Sequence, residues 1–96
     1  MDVAFADPYL DQLETDPSAG KEYPQAAVKA YRKRLQVIRA APDRRDFYAL
    51  KSLHFEKLQG DRHGEYSMRL NDQWRLILAL DDDDRTATIL SIEDYH

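Results

Sequence analysis

Hydrophobic and polar residues alternate through the second half of the chain. The alternation runs through three segments, EYSMRL (65–70), QWRLILAL (73–80) and RTATILSI (85–92). A period of two, with Thr and Ile enriched in the third segment, is typical of strands that bury one face. Short polar turns separate the segments, so the pattern predicts three consecutive antiparallel strands.

A different spacing marks the segment between Pro24 and Pro42. Its apolar residues recur at intervals of three and four, at Val28, Tyr31, Leu35 and Ile38. This spacing places them on one side of an α-helix. We therefore predict a helix over residues 24–41, and we interpret its basic run YRKR (31–34) as a solvated helix face.

Two shorter elements are predicted before this helix. Residues 2–6 (DVAFA) alternate like a strand, and Asp7 followed by Pro8 is a typical helix start, an N-cap and a first helical position. Residues 47–58 have no clear period, and residues 59–64 (QGDRHG) have the composition of a loop. Two or three helical segments followed by consecutive strands give an α+β fold.

The loop length of the first predicted hairpin determines which residues of its two strands lie opposite each other. If residues 71–73 form its loop, Leu70 lies opposite Trp74 and Arg69 lies opposite Arg75. The two arginines then share the face opposite the apolar set, so we expect the fold to survive replacement of Arg75 by alanine. Two opposed cations repel each other, which points to a bound anion. The alternative is that each arginine pairs with a nearby acid such as Glu65 or Asp94.

Composition and charge limit the classes of function. The chain has 96 residues, no cysteine and a net charge of −4, which fits one cytoplasmic domain, residues 1–96, without thiolate chemistry. Residues 1–28 have one Lys and six acids, residues 29–75 twelve basic and six acidic residues, and residues 76–96 one Arg and six acids. The basic middle keeps a nucleic-acid partner possible. The three histidines are not spaced as metal ligands, and no cofactor motif is present.

The remaining reactive groups are imidazole, ammonium, guanidinium and phenol. They suit the metal-free cleavage of RNA by its own 2′-OH, because the substrate then supplies the nucleophile. Imidazole transfers protons near neutral pH, and cations stabilise the charge that develops on phosphate. A tyrosine can stack on an unpaired base. We interpret His63, in the loop, as a solvated residue. We interpret Trp74, on the apolar face, as part of the core.

Two separated motifs resemble the HigB-like toxins of the RelE/ParE superfamily. They are LHFEKLQGDRHGEYSMRLNDQWRLI (53–77) and the terminal IEDYH (92–96), and the resemblance extends over about residues 23–96. Two motifs in the right order are more specific than either alone. The chain departs from the family pattern at Gln59, where lysine is usual, and at Tyr66, where tryptophan is usual. Its acidic net charge also differs from the commonly basic family.

The resemblance implies two N-terminal helices packed on a small, mostly antiparallel sheet, and a ribosome-dependent mRNA endonuclease that needs no metal or cofactor. It also implies a cognate HigA-like helix-turn-helix antitoxin, through which alone the protein would contact DNA. The family's active-site residues fall here on His54, Lys57, Arg75, Asp94, Tyr95 and His96, and we assign Arg69 and Gln73 to RNA binding. Arg75 would hold the scissile phosphate, and Tyr95 would position the nucleotide. We also expect the terminal motif to pack near His54 and Lys57.

Two alternatives remain. The protein could poison DNA gyrase without cutting RNA, as in the ParE branch of the superfamily. It could also be an inactive toxin homologue that acts only in a repressor complex with its antitoxin on DNA.

Overall fold

A five-stranded sheet with strand order β1-β5-β4-β3-β2 lies at the centre of the computed structural model, which describes residues 1–95. The elements are β1 (Asp2–Phe5), α1 (Pro8–Thr15), α2 (Gln25–Ala40), α3 (Arg45–Ala49), a 3₁₀ turn (Lys51–Leu53), β2 (Glu56–Lys57), β3 (Glu65–Arg69), β4 (Trp74–Leu80) and β5 (Thr86–Asp94). The pairs β2–β3, β3–β4 and β4–β5 are antiparallel, and the pair β1–β5 is parallel. The predicted α+β fold is confirmed.

The helices form where the sequence patterns place them. The Asp7 carboxylate accepts a hydrogen bond of 2.8 Å from the amide of Tyr9 and so caps α1. The predicted apolar stripe of α2 is buried, and it packs in one core with the apolar face of the sheet. Among residues 1–95 no helix is long and apolar enough to cross a membrane.

The basic run on α2 is only partly the solvated face that we predicted. Arg32 donates hydrogen bonds of 3.1 and 2.9 Å to the carbonyls of Leu13 and Asp16, at the C-terminal end of α1. Arg34 donates one of 3.1 Å to the carbonyl of Arg69 at the end of β3. Only the lysine between these arginines is exposed. The two arginines therefore hold α2 to its neighbours, because carbonyls at element ends need donors.

The acidic turn between β4 and β5 also has a structural role. The Arg44 guanidinium and backbone amide bind the Asp84 carboxylate at 2.8 and 2.9 Å, and Arg44 donates to the Tyr66 hydroxyl at 2.6 Å. This hydrogen bonding from Arg44 lowers the pKa of Asp84. The Asp81 carboxylate accepts hydrogen bonds from two backbone amides of the same turn. Two of the four acids thus have structural contacts. Asp81 orders the turn itself, and Asp84 attaches the turn to Arg44.

Gly20 lies where the loop between α1 and α2 passes over both helices. Its φ of +95° belongs to the left-handed region that favours glycine. A Cβ at this position would lie 2.7 Å from Leu13 Cδ1 and 2.9 Å from Val28 Cγ2, both in the core. No side chain fits there without displacing core atoms.

We expect Gly20→Ala to lower the free energy of unfolding by about 2–4 kcal/mol, from backbone strain and overpacking together. Gly60→Ala is the matched control, because Gly60 also has a positive φ, +73°, but a Cβ added there would meet no atom of the surrounding structure within 4 Å. The control should lose only about 1–2 kcal/mol. Urea unfolding of both variants measures the difference. Equal losses would show that the neighbouring side chains move away from the added Cβ without any further loss of stability.

Candidate active site

The predicted register of the β3–β4 hairpin is confirmed, since Arg69 lies directly opposite Arg75. The two arginines nevertheless have different surroundings. Arg69 forms an ion pair with Asp72 in the turn that follows β3. Neither arginine pairs with Glu65 or Asp94, and none of the ion pairs among residues 1–95 involves Arg75. Asp72 balances the charge of Arg69 locally. Arg75 lies opposite Glu93 on β5 but forms no ion pair in this part of the chain, and the Glu93 carboxylate binds Arg62 instead.

Arg75 is buried, with only 8% of its surface exposed. Its Nη2 donates hydrogen bonds of 2.6 Å to the carbonyl of His54 and 2.8 Å to Ser67 Oγ, while its Nε is buried without a partner among residues 1–95. Arg75 therefore has buried contacts that its position on the face opposite the apolar set did not indicate. A buried cation without a carboxylate is unfavourable by itself, and this arrangement suits a site that an external anion completes.

His54 lies immediately after the 3₁₀ turn, with φ 44° and ψ 51°. Histidine is one of the residues enriched in this left-handed conformation. The conformation allows the carbonyl of His54 to accept the hydrogen bond from Arg75 while the side chain is exposed. The imidazole lines a shallow groove of about 360 Å³. His54 is thus accessible to substrate and connected through its backbone to the buried cation.

Tyr95 meets the same arginine from the C-terminal end of the chain. The Arg75 guanidinium lies 5.1 Å from the centre of the Tyr95 ring, a cation–π geometry. The amide of Tyr95 donates a 2.6 Å hydrogen bond to the carbonyl of Gln73, which extends the pairing of β5 with β4. Arg75 therefore joins His54 and Tyr95. The predicted proximity of the terminal motif to His54 holds for Tyr95, and His96 lies outside the described residues.

Two other predicted site residues lie elsewhere on the sheet. Asp94 is opposite Trp74, and its carboxylate accepts a 3.0 Å hydrogen bond from the side chain of Gln73. Lys57 is opposite Tyr66 in the edge strand β2 and is exposed. Because paired residues share a face, the register places Asp94 and Lys57 on the helix-covered side. In the sheet, β4 and β3 lie between the terminal strand β5 and the strand β2 that carries Lys57. Gln73 orders the terminal segment through two contacts.

The sequence analysis did not identify the connection between the two family motifs. Arg62, in the loop GDRHG, forms ion pairs with Glu65 at 3.0 Å and with Glu93, in the terminal motif, at 2.9 Å. Ser91 Oγ donates a further 2.9 Å hydrogen bond to Glu93. Hydrogen bonding from Arg62 lowers the pKa of Glu93. The available signal was that the first motif contains a cation without an assigned role, Arg62, and the terminal motif an acid without one, Glu93.

We expect Arg62→Gln to lower the free energy of unfolding at pH 7 by up to about 1 kcal/mol, because the ion pair is partly exposed. Glu93 binds its proton less tightly in the folded than in the unfolded chain, so this stabilisation exists above the ordinary pKa of 4.5. It is lost as the pH falls through the lowered pKa. Urea unfolding at pH 7 and pH 3 tests this.

Arg85→Gln serves as the control for this measurement, since Arg85 is exposed and its ion pair with Asp83 stays within one turn. The control should change stability little at either pH. A loss in Arg62→Gln that is the same at pH 3 and pH 7 would assign the contribution of Arg62 to packing.

Solved structures of RelE-like toxins share this fold. The chain aligns over its full length with 97% of a chain of the YoeB-YefM complex from Staphylococcus aureus, at a TM-score of 0.63 and 23% identity. It also aligns over 97% of its length with 92% of a chain of the archaeal RelE-RelB complex from Pyrococcus horikoshii OT3, at a TM-score of 0.62 and 19% identity. At these identities the likeness concerns the fold.

Sequence similarity is more specific. The family model for the RelE-like toxin HigB of type II toxin-antitoxin systems matches residues 3–96. Toxin HigB-1 of Vibrio cholerae is 31% identical over 77 residues, which cover 80% of this chain and 81% of the relative. The chain belongs to the HigB family of RelE-like toxins, and the predicted family is confirmed.

Proposed function

We propose that this toxin is an endoribonuclease that cuts mRNA on the ribosome by activating the 2′-OH of the RNA. The membership of the HigB family supports this proposal, because RelE-like toxins are generally endoribonucleases. The observation that carries it is the environment of Arg75, a buried guanidinium that contacts His54 and Tyr95. It forms no ion pair among residues 1–95, although Glu93 lies opposite it in register. A scissile phosphate would supply the missing negative charge.

The proposed reaction needs three contributions from the protein. A general base removes the 2′ proton, the 2′ oxygen attacks phosphorus, and the bond from phosphorus to the 5′ oxygen breaks as a general acid protonates that oxygen. The products are a 2′,3′-cyclic phosphate and a 5′-OH. We assign the two proton transfers to His54 and His96, in either order, because imidazole titrates near neutral pH.

Arg75 stabilises the charge that develops on the phosphoryl oxygens. Tyr95 holds the adjacent nucleotide by stacking, and its position over Arg75 supports that role. Lys57 is exposed on the edge strand β2, and we assign it a contact with a neighbouring phosphate of the RNA. In this proposal Asp94 and Gln73 order the terminal segment, and Arg69 contacts the RNA backbone.

We further propose that the protein acts in the cytoplasm and that a HigA-like antitoxin inhibits it and provides its only contact with DNA. The antitoxin-bound forms of the S. aureus and P. horikoshii proteins support an antitoxin partner. The acidic segments 1–28 and 76–96 disfavour binding to naked RNA. The ribosome then has to present the substrate.

The test is cleavage of a defined mRNA with and without ribosomes, followed by analysis of the product ends. We expect cleavage in the ribosomal A site, 2′,3′-cyclic phosphate ends, full activity in EDTA-treated toxin, and little cleavage of naked RNA. Rapid cleavage of naked RNA would contradict ribosome dependence. Gyrase inhibition or antitoxin-dependent DNA binding without any cleavage would favour the two alternatives and overturn the proposal.

A further inference from the structure

Three large apolar side chains are conspicuously exposed among residues 1–95. Tyr95, at 47% exposure, lies on Arg75 within the candidate site. The other two are Tyr48, at 54%, and Leu50, at 44%. Both line the groove that contains His54. Tyr95 therefore lies on the candidate site, and Tyr48 and Leu50 lie in a groove that shares His54 with it.

Aromatic packing holds Tyr48 in a fixed position. Its ring makes a T-shaped contact with the ring of Phe55, at a centroid distance of 4.8 Å and an interplanar angle of 83°. Phe55 is in turn stacked on Tyr66, at 5.1 Å and 7°, and contacts Phe47 at 5.3 Å. Phe47, Phe55 and Tyr66 all belong to the core. Tyr48 thus presents a supported ring to solvent.

The ionisable residues of the groove are one lysine, one glutamate and one histidine, next to the exposed ring of Tyr48. Lys51 and His54 line it on the side of the 3₁₀ turn, and Glu56 is its single acid. An exposed aromatic ring beside a lysine can bind unpaired nucleic acid, because every base has a face on which a ring can stack. The groove also shares His54 with the candidate site, so an RNA strand that reaches Arg75 passes next to it.

We propose that this groove binds an unpaired nucleobase of the substrate RNA next to the scissile phosphate. Tyr48 is the stacking surface, Leu50 bounds the base, and Lys51 pairs with the adjoining phosphate. Tyr48 then holds one nucleotide in the groove, and Tyr95 holds another at Arg75. Tyr48 is a specificity-determining residue in this scheme, and the inference rests on the proposed ribonuclease function.

The experiment measures cleavage of ribosome-bound mRNA by wild type, Tyr48→Ala and Tyr48→Phe. We expect Tyr48→Ala to lower kcat/KM by about 5- to 100-fold, the loss of one stacked base, mainly through KM. Tyr48→Phe retains the ring and should cleave like wild type. Lys51→Ala should also raise KM, whereas Lys33→Ala, an exposed lysine on α2, should not.

Abasic mRNAs identify the bound nucleotide. With each A-site base removed in turn, one position should slow the wild type by about the factor that Tyr48→Ala causes. At that position Tyr48→Ala should produce no further loss, since both changes remove the same contact. Additive losses at every position would overturn the inference.

The remaining outcomes separate this inference from the proposed function. Absence of cleavage by the wild type would overturn both. Normal cleavage by folded Tyr48→Ala would overturn the inference alone. If Tyr48→Ala instead weakens antitoxin binding while cleavage is unchanged, the groove is a protein-docking surface, and the inference is again wrong.

Discussion

Replacement of Arg75 by alanine is expected to lower the rate of mRNA cleavage by about 10²–10³-fold, by analogy with the loss of a transition-state hydrogen-bond donor. The variant should also lose about 1–3 kcal/mol of stability, because the carbonyl of His54 and the hydroxyl of Ser67 lose their buried donor. Single-turnover cleavage at saturating ribosome concentration measures the rate, and urea unfolding measures the stability.

Two control variants separate these effects. Arg69→Ala removes the directly opposed arginine, whose charge Asp72 already balances, and it should weaken RNA binding while lowering the saturated rate far less. Gly20→Ala reduces stability at a position between α1 and α2. If Gly20→Ala loses as much activity as Arg75→Ala, unfolding explains both results. If Arg75→Ala cleaves at the normal rate, Arg75 has only a structural role.

Replacement of either candidate histidine is expected to lower cleavage by about 10²–10⁴-fold, the usual loss for a general acid or base. We choose His96→Ala and His54→Asn, because asparagine also tolerates the left-handed backbone at residue 54. The carbonyl that holds Arg75 is then kept while the imidazole is removed. Cleavage rates measured from pH 5 to pH 9 test both variants.

The pH profiles also distinguish the two roles. Loss of the general base should remove the rising limb of the profile, and loss of the general acid should remove the falling limb. His63→Ala, at an exposed loop position, is the control and should follow the wild-type profile. Full activity of His96→Ala would show that the terminal imidazole takes no part in proton transfer.

Local periodicity predicted most of the fold. The stripe on α2, the cap at Asp7 and the opposition of Arg69 to Arg75 are all present. These features depend on residues close in sequence, whose side-chain directions follow directly from the helical or strand repeat. The family motifs similarly selected the segments that form the candidate site.

Long-range contacts determined the rest. The sequence did not reveal that β1 pairs with β5 in parallel, or that Arg62 joins the loop before β3 to Glu93. It placed Arg75 on the correct face but not in a buried position, because strand alternation specifies a direction and says nothing about what covers it. The juxtaposition of His54, Arg75 and Tyr95 likewise requires the strand order.

The sequence by itself therefore determined α1, α2, β1 and β3 to β5, together with the family and the chemical groups available for the reaction. Only the tertiary structure decided which groups meet. Arg75 is buried and forms no ion pair among residues 1–95. Arg69, which lies opposite it, forms an ion pair with Asp72 in the next turn. The difference arises from burial and neighbouring charge, which are properties of the folded surroundings, so two arginines with the same local pattern acquire different roles.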